Sequence, residues 1–239
     1  MRLLRGDGTL LRVGHRGAAA LAPENTLRSF EAALTCGVDA IEFDVLDRGA
    51  GPLVLGHSLA ELGREPATLD EALAFLAGHD IVLHVDLKLT TRLDEVADAL
   101  VRHGLSERAV VSSFRLASLA AFANRAPRIP IGFTYPEDRY GVSGRRAFQP
   151  VIRLGTLALR RALVARIPAM IERAGASALM LHHAVVSAPA VERAHGAGVA
   201  VWAWTVDDPA ELARLDAAGV DAVISNSPEI FRSVATLGA

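Results

Sequence analysis

One cysteine, Cys36, stands in a chain of 239 residues, so no internal disulfide can form. That usage fits a reducing compartment. Neither sign of charge dominates: 25 basic against 27 acidic residues leave a formal net charge of −2. No global field therefore points to nucleic acid or to a membrane surface. No stretch approaches the roughly 18 uninterrupted apolar residues of a bilayer-spanning helix. The first residues interleave Arg2, Arg5 and Asp7 with leucines, so no apolar signal-peptide core is expected there. A low-complexity linker is also missing. One domain over residues 1–239, in a soluble cytoplasmic enzyme, is the expectation.

The length suits a single (β/α)₈ barrel, and 51% apolar with 22% charged residues is ordinary globular composition. Short apolar runs alternate with helical patterns along the chain. Strands are expected at 11–15, 39–45, 81–88, 108–113, 130–134, 178–182, 199–204 and 221–225. Helices are expected near 26–36, 68–77, 92–103, 115–124, 188–197, 208–217 and 228–236, with an extra helical segment of more than one helix near 140–175. Eight strands alternating with helices, without returning hairpins, argue for a parallel sheet, and eight is the number that closes a barrel. The expected fold is α/β, a (β/α)₈ TIM barrel. A doubly wound open sheet is the rival, but the G-x-G-x-x-G fingerprint carried by many such sheets is absent.

Punctuation supports the register. Thr68 or Asp70 suits the start of one helix, and Asp207 or Asp208 before Pro209 suits another. Gly37, Gly104, Gly198 and Gly219 fall just after helical runs, where a left-handed residue is expected. Alternation then sorts the faces. Ile81, Leu83, Val85, Leu87 and Leu89 suit the helix-facing side, which leaves Val82, His84, Asp86 and Lys88 on the other. Ile41, Phe43 and Val45 likewise leave Glu42 and Asp44 inward. Inward charges near a strand end are costly unless they serve a site, and in this fold that end carries the chemistry.

Glu42, Asp44 and Asp86 would crowd one another. Two such charges ~4 Å apart repel by about 4 kcal/mol at an effective dielectric near 20. One divalent cation resolves the conflict, and all-oxygen ligation suits Mg²⁺ or Ca²⁺ better than zinc. The alternative is a salt-bridged trio, with Lys88 and Arg16 as counter-charges. His15 and His57 each follow an apolar run, and an unperturbed imidazole can give or take a proton near neutral pH, so they are candidates for an acid–base pair. His79, His103 and His195 read as surface or helix-end residues, while His182 and His183 are weak substrate-contact candidates.

His15-Arg16-Gly17, Pro23-Glu24-Asn25-Thr26 and Glu42-Phe43-Asp44, with His57, Asp86-x-Lys88 and Trp204-Thr205-Val206, resemble the signature of the glycerophosphodiester phosphodiesterase family. The resemblance runs over nearly the whole chain and is densest in residues 12–57. It implies a TIM barrel that hydrolyses glycerophosphodiesters to glycerol 3-phosphate and an alcohol with a divalent cation. By that analogy Glu42, Asp44 and Asp86 hold the metal, and Glu24 and Asn25 join or support it. His15 and His57 are the acid–base pair, and Arg16 and Lys88 take the phosphate oxygens. Two positions keep a plain structural alternative. Asn25 or Thr26 caps a helix, and Trp202 and Trp204 fill the barrel, unless Trp204 walls the glycerol.

The chain departs from the family pattern at several points. Ser58 stands where an aspartate often follows the second histidine, and the insertion after it, residues 59–68, is short. Asp86 replaces a common glutamate, and Asn226 lies where an aspartate is frequent. Residues 139–167 carry Arg139, Arg145, Arg146, Arg153, Arg160, Arg161 and Arg166 and no acid. Peripheral membrane contact through 140–167 would favour a lysophospholipid substrate, as in a lysophospholipase D or another phospholipid-directed phosphodiesterase. The alternative is a helix packed on the barrel. Two further readings are a non-catalytic phosphodiester-binding barrel and an unrelated phosphate-binding isomerase barrel. The first needs a lost site group, and His15, His57, Glu42 and Asp44 are all present. The second leaves the paired histidines and E-x-D without a common cause.

Overall fold

A computed structural model describes residues 1, 3–6, 8–136 and 149–235, with the side chains of 149–157 and 233–235 outside the description. Its strands are β1 (Leu11–Gly14), β2 (Ala40–Leu46), β3 (Val54–Leu55), β4 (Val82–Leu87), β5 (Ala109–Ser113), β6 (Ile131–Tyr135), β7 (Ala178–His182), β8 (Ala200–Trp204) and β9 (Ala222–Ser225). All except β3 are parallel, and β1 pairs with both β2 and β9, so the sheet closes into the eight-stranded barrel of a TIM fold. The helices α1 (Leu27–Thr35), α2 (Leu69–Ala77), α3 (Leu93–Arg102), α4 (Leu116–Arg125), α5 (Gln149–Ala174), α6 (Ala188–His195), α7 (Pro209–Ala217) and α8 (Ile230–Ala235) follow the strands around the outside.

The alternation read from the sequence is the one observed. Ile41, Phe43, Val45, Leu83, Val85 and Leu87 join the apolar layer between strands and helices. A separate inner cluster of Val13, Ala40, Val110, Ala178, Met180, Ala200, Trp202, Ala222 and Ile224 fills the barrel. Four of those nine are alanines, so the one large ring, Trp202, has room to lie fully buried. Trp202 thus fills the barrel, while Trp204, two residues on, lines its mouth.

Local signals set the helix starts. Thr68 caps α2 and forms a reciprocal capping box with Glu71, and Asp208 caps α7 through the backbone N–H of Ala210. Of the two candidates before α1, Thr26 is the cap, accepting from Ser29. Asn25 is freed for another task.

One expectation needs correction. β3 runs antiparallel to β2, with Val45 opposite Leu55 and Leu46 opposite Val54, so one returning hairpin is present. Two residues are too short to show a period, which hides such a strand in sequence. Of the extra helical segment expected near 140–175, residues 140–148 lie outside the described residues. Residues 149–174 form one helix of 26 residues that continues through Pro168. Leu163, Ile167 and Ala174 are buried against the core, with Leu159, Val164, Met170 and Ile171 partly buried beside them, and that packing holds the helix across the proline. Arg139, Arg145 and Arg146 lie outside the described residues, as do the side chains of Val151, Ile152, Arg153, Leu154 and Leu157.

Candidate active site

The carboxyl-terminal end of β1 leads into a turn that only its own residues can make. Arg16 and Gly17 have φ of +49° and +85°. A Cβ on Gly17 would lie 2.3 Å from the Ser29 hydroxyl, so the backbone there approaches α1 as only glycine allows. The turn aims its groups at β2. The backbone N–H of Arg16 donates to Glu42 Oε2 at 2.8 Å, and that of Gly17 donates to the Glu42 carbonyl at 3.1 Å. Asn25, also left-handed at φ +57°, clasps Asp44 from both ends. Its Nδ2 donates to Asp44 Oδ2 at 3.0 Å, and its Oδ1 accepts the Asp44 backbone N–H at 2.9 Å. Two non-glycine residues held at positive φ on one rim mark a place where position outweighs local comfort.

Glu42, Asp44 and Asp86 all point into the barrel and are 4%, 1% and 5% exposed. Asp44 and Asp86 are register partners on β2 and β4. Lys88 stands between them, with Nζ 3.1 Å from Asp44 Oδ1 and 2.5 Å from Asp86 Oδ2. Arg16 Nε lies 3.1 Å from Asp44 Oδ2, and its Nη1 pairs with Glu24 at 2.7 Å on the solvent edge. The counter-charges named from sequence are therefore in place. Glu42 is treated differently: among the described residues the only basic side chain within 4 Å of its carboxylate is His15, whose Nε2 lies 3.8 Å away, and the Arg16 charge acts on it only from further off.

The electrostatics follow that asymmetry. Burial works against the Asp44 charge, but Lys88, Arg16 and Asn25 hold its carboxyl well below the usual range. Lys88 is raised by Asp86 and Asp44 against its own burial. Burial, with the charges of Asp44 and Asp86, pushes Glu42 well above the ordinary carboxyl value. So the cluster holds one more buried acid than its two basic side chains, Arg16 and Lys88, compensate, and Glu42 is that acid.

The β2–β3 hairpin brings His57 back over the mouth. Gly56 N donates to the Asp44 carbonyl at 3.1 Å, and His57 Nδ1 accepts from Arg16 Nη2 at 2.9 Å. Opposite it, His15 Nδ1 is 2.6 Å from Asn226 Oδ1 at the end of β9. Burial and the Arg16 charge lower the His15 pKa, so its imidazole is neutral at neutral pH.

These groups surround a cavity of ≈ 530 Å³, within the range of small-molecule sites. His15, Arg16, Glu42, Asp44, His57, Asp86, Lys88 and Trp204 all line it. Glu24 and Asn25 do not, and act on it through Arg16 and Asp44. His182 and His183 are outside the lining: His183 bonds Glu211 at 2.7 Å, and His182 accepts the Ala184 N–H. His79, His103 and His195 bond Phe75, Asp70 and Asp221, as filler residues do.

Sequence reasoning missed His84, Ser112, Phe114, Arg115 and Thr134, which also line the cavity. His84 Nε2 lies 2.8 Å from the Ser112 hydroxyl, which donates to Asp86 Oδ1 at 2.5 Å and pins that carboxylate. Burial takes the His84 pKa down to about 4, so this ring stays neutral. The signal for His84 was its even register with Asp86. Phe114 and Arg115 sit past a strand end, where alternation no longer speaks.

A cation would meet a donor set of oxygens only, with Glu42 still short of a counter-charge. Among the described residues no three Asp, Glu, His or Cys side chains form a ready cage. Mg²⁺ rarely needs one, since it takes one or two carboxylates and completes its shell with water and substrate phosphate. The residues fit a hard divalent ion in an open site.

Acids, bases and neutral imidazoles gathered at this face of a (β/α)₈ barrel are the setting of a hydrolase acting on phosphate esters. The comparisons give the family. The model of the Glycerophosphoryl diester phosphodiesterase family matches residues 15–64 and 75–230, so the chain belongs to that family and to the phosphoric diester hydrolases. A glycerophosphodiester phosphodiesterase of Caldanaerobacter subterraneus subsp. tengcongensis is 24% identical over 95% of this chain and 98% of its own length. An Oleispira antarctica phosphodiesterase, solved with its product sn-glycerol-3-phosphate, superposes with a TM-score of 0.71 at 23% identity, covering 94% of this chain and 96% of that one. A glycerophosphodiester phosphodiesterase from Parabacteroides distasonis gives 0.73 at 20% identity, covering 96% and 98%.

Proposed function

We propose that this protein hydrolyses glycerophosphodiesters to glycerol 3-phosphate and an alcohol, using one divalent cation, Mg²⁺ or Ca²⁺, and the histidines His15 and His57. The observation that carries the reading is the unbalanced Glu42 in an otherwise compensated cluster. Glu42, Asp44 and Asp86 would hold the cation, with Asn25 and Ser112 fixing the two aspartates. When bound, the cation supplies Lewis-acid stabilisation of charge developing on the phosphoryl oxygens.

The remaining chemistry belongs to the side chains. Arg16 and Lys88 face the cavity and offer N–H donors to the non-bridging oxygens of the ester. Their partners assign the imidazole roles. Arg16 can only donate, so His57 accepts at Nδ1 and carries its proton on Nε2, ready to give it to the leaving oxygen. His15, bonded through Nδ1 to Asn226, keeps Nε2 free to take a proton from the attacking hydroxyl, of water or of the glycerol itself. Trp204, oriented by a 2.9 Å bond from its Nε1 to the Met180 carbonyl, forms an apolar wall with Phe114 for the organic part of the substrate.

The lysophospholipid reading rests on the arginine-rich segment. The described part of α5 turns Leu163 and Ile167 to the barrel, which favours the packing helix. The test is turnover of glycerophosphocholine and related diesters by His15→Ala and His57→Ala. Each substitution should lower kcat about 10²–10⁴-fold while the thermal response to divalent cation persists. Full activity in either variant would sink the acid–base assignment.

A further inference from the structure

We propose that Asp207 and Asn226 are positioning residues that lock His15 in the tautomer with its proton on Nδ1, and thereby set Nε2 as its working nitrogen. The inference deepens the reading of His15 as a proton-handling group and rests on it. It follows from a chain of hydrogen bonds in which only one arrangement of protons satisfies every partner.

Asp207 lies just past β8, at the solvent edge of the mouth. Its Oδ1 accepts the backbone N–H of Asn226 at 2.8 Å, the Ser225 hydroxyl at 3.0 Å and the Ser227 N–H at 3.4 Å. With one oxygen fixed by those donors, the other, Oδ2, faces the Asn226 side chain at 2.7 Å. A carboxylate accepts only, so the amide must turn its NH₂ to Asp207. That leaves Asn226 Oδ1 towards His15, 2.6 Å from Nδ1. A carbonyl oxygen also accepts only, so Nδ1 must carry the hydrogen. The ring has little freedom to escape, because the His15 backbone N–H donates to the Ser225 carbonyl at 2.8 Å, and Ala20 N holds the Asn226 carbonyl at 3.0 Å. Nε2 then presents its lone pair to the cavity, on the side of Glu42.

Neutral Asn226 touches the imidazole, and the negative charge sits one residue further away. The pair works as a unit. In Asp207→Asn an amide nitrogen can replace Oδ2, leaving two NH₂ groups opposed. Asn226 then flips and presents a donor to Nδ1, which moves the proton to Nε2 and blocks the acceptor. In Asn226→Asp two carboxylate oxygens meet at the contact now 2.7 Å long. Exchanging both residues restores a donor opposite an acceptor at each contact, with the introduced carboxylate accepting from Nδ1.

The experiment is ¹⁵N-histidine NMR on the whole chain at neutral pH, with His15 assigned by its loss in His15→Gln, together with kcat and KM for glycerophosphocholine. The wild type should show Nδ1–H at His15, and Asp207→Asn should move the proton to Nε2. Its kcat should fall towards the loss of about 10²–10⁴-fold that a missing general base brings, with KM unchanged. Asp207→Asn/Asn226→Asp should recover both the Nδ1–H signal and kcat. Should Asp207→Asn fail to fold, Asn226→Ala keeps the Asp207 backbone bonds and should give a mixed tautomer. An Nε2–H signal in the wild type, an unchanged tautomer in Asp207→Asn or Asn226→Ala, or a double variant no better than the singles overturns the proposal. A wild type that shows Nδ1–H but turns over no diester sinks the proposed function and leaves the tautomer lock standing.

Discussion

Replacing Lys88 by methionine removes the ammonium that bridges Asp44 and Asp86 while keeping most of the side-chain volume. Lys88 is 14% exposed at its side chain, so water screens the pair poorly. Breaking a buried ion pair from one side costs about 3–5 kcal/mol. Asp44 keeps Arg16 Nε at 3.1 Å and Asn25, and Asp86 keeps Ser112, which places the loss near the lower figure. For a chain of this size about 3 kcal/mol corresponds to a fall in Tm of roughly 6–12 °C. The assay is thermal unfolding in EDTA and then in Mg²⁺ or Ca²⁺. A cation at about 100 times its Kd returns about 2.7 kcal/mol. It should stabilise Lys88→Met more than the wild type, because the variant's acids have lost a competitor for the ion. A Tm fall of less than about 2 °C, or a cation response no larger than that of the wild type, would refute the charge accounting.

Glu42→Gln should abolish turnover and the cation-induced rise in Tm, yet stabilise the cation-free protein. The sign follows from the raised pKa. The folded state binds the Glu42 proton more tightly than the unfolded chain, whose value is near the ordinary 4.5. Its contribution is full below that value and is lost as pH rises through the higher folded one. In EDTA the variant should therefore melt above the wild type at pH 8, the gap closing towards pH 4.5; a gap of the opposite sign contradicts this. For the wild type, the same proton competition should shrink the cation-induced rise in Tm as pH falls. Asn25→Gly keeps the left-handed backbone but leaves the buried Asp44 N–H unsatisfied, at a cost of about 1–3 kcal/mol. Asn25→Ala should lose about 1–2 kcal/mol more from its φ of +57°, both read by urea unfolding. Equal stability of the two variants would remove the backbone argument.

Much of the barrel was legible because strands buried on their outer face repeat every two residues. Ile41-x-Phe43-x-Val45 and Leu83-x-Val85-x-Leu87 fix which side Glu42, Asp44 and Asp86 take, and hence where the acids meet. Left-handed glycines at 37, 104, 198 and 219 mark the helix ends for a local steric reason. What stayed hidden depends on contacts distant in sequence or on segments too short to have a period. β3 spans two residues, and only its pairing with β2 carries His57 to Asp44. Asn25 could be read either as a helix cap or as a support for the acids, since both use the same side chain, and only the fold decides by placing Asp44 within its reach. Asp207 and Asn226 are 19 residues apart, and nothing in either neighbourhood announces the other.

The most direct test of the account is release of glycerol 3-phosphate from glycerophosphocholine by the wild type and Glu42→Gln, first in EDTA and then with Mg²⁺ or Ca²⁺ added back. The expected result is no turnover in EDTA, recovery in the wild type that saturates with the cation, and none in Glu42→Gln at the same concentration. Turnover that survives chelation, or a Glu42→Gln enzyme that recovers as the wild type does, would contradict the claim that these acids work by holding a metal.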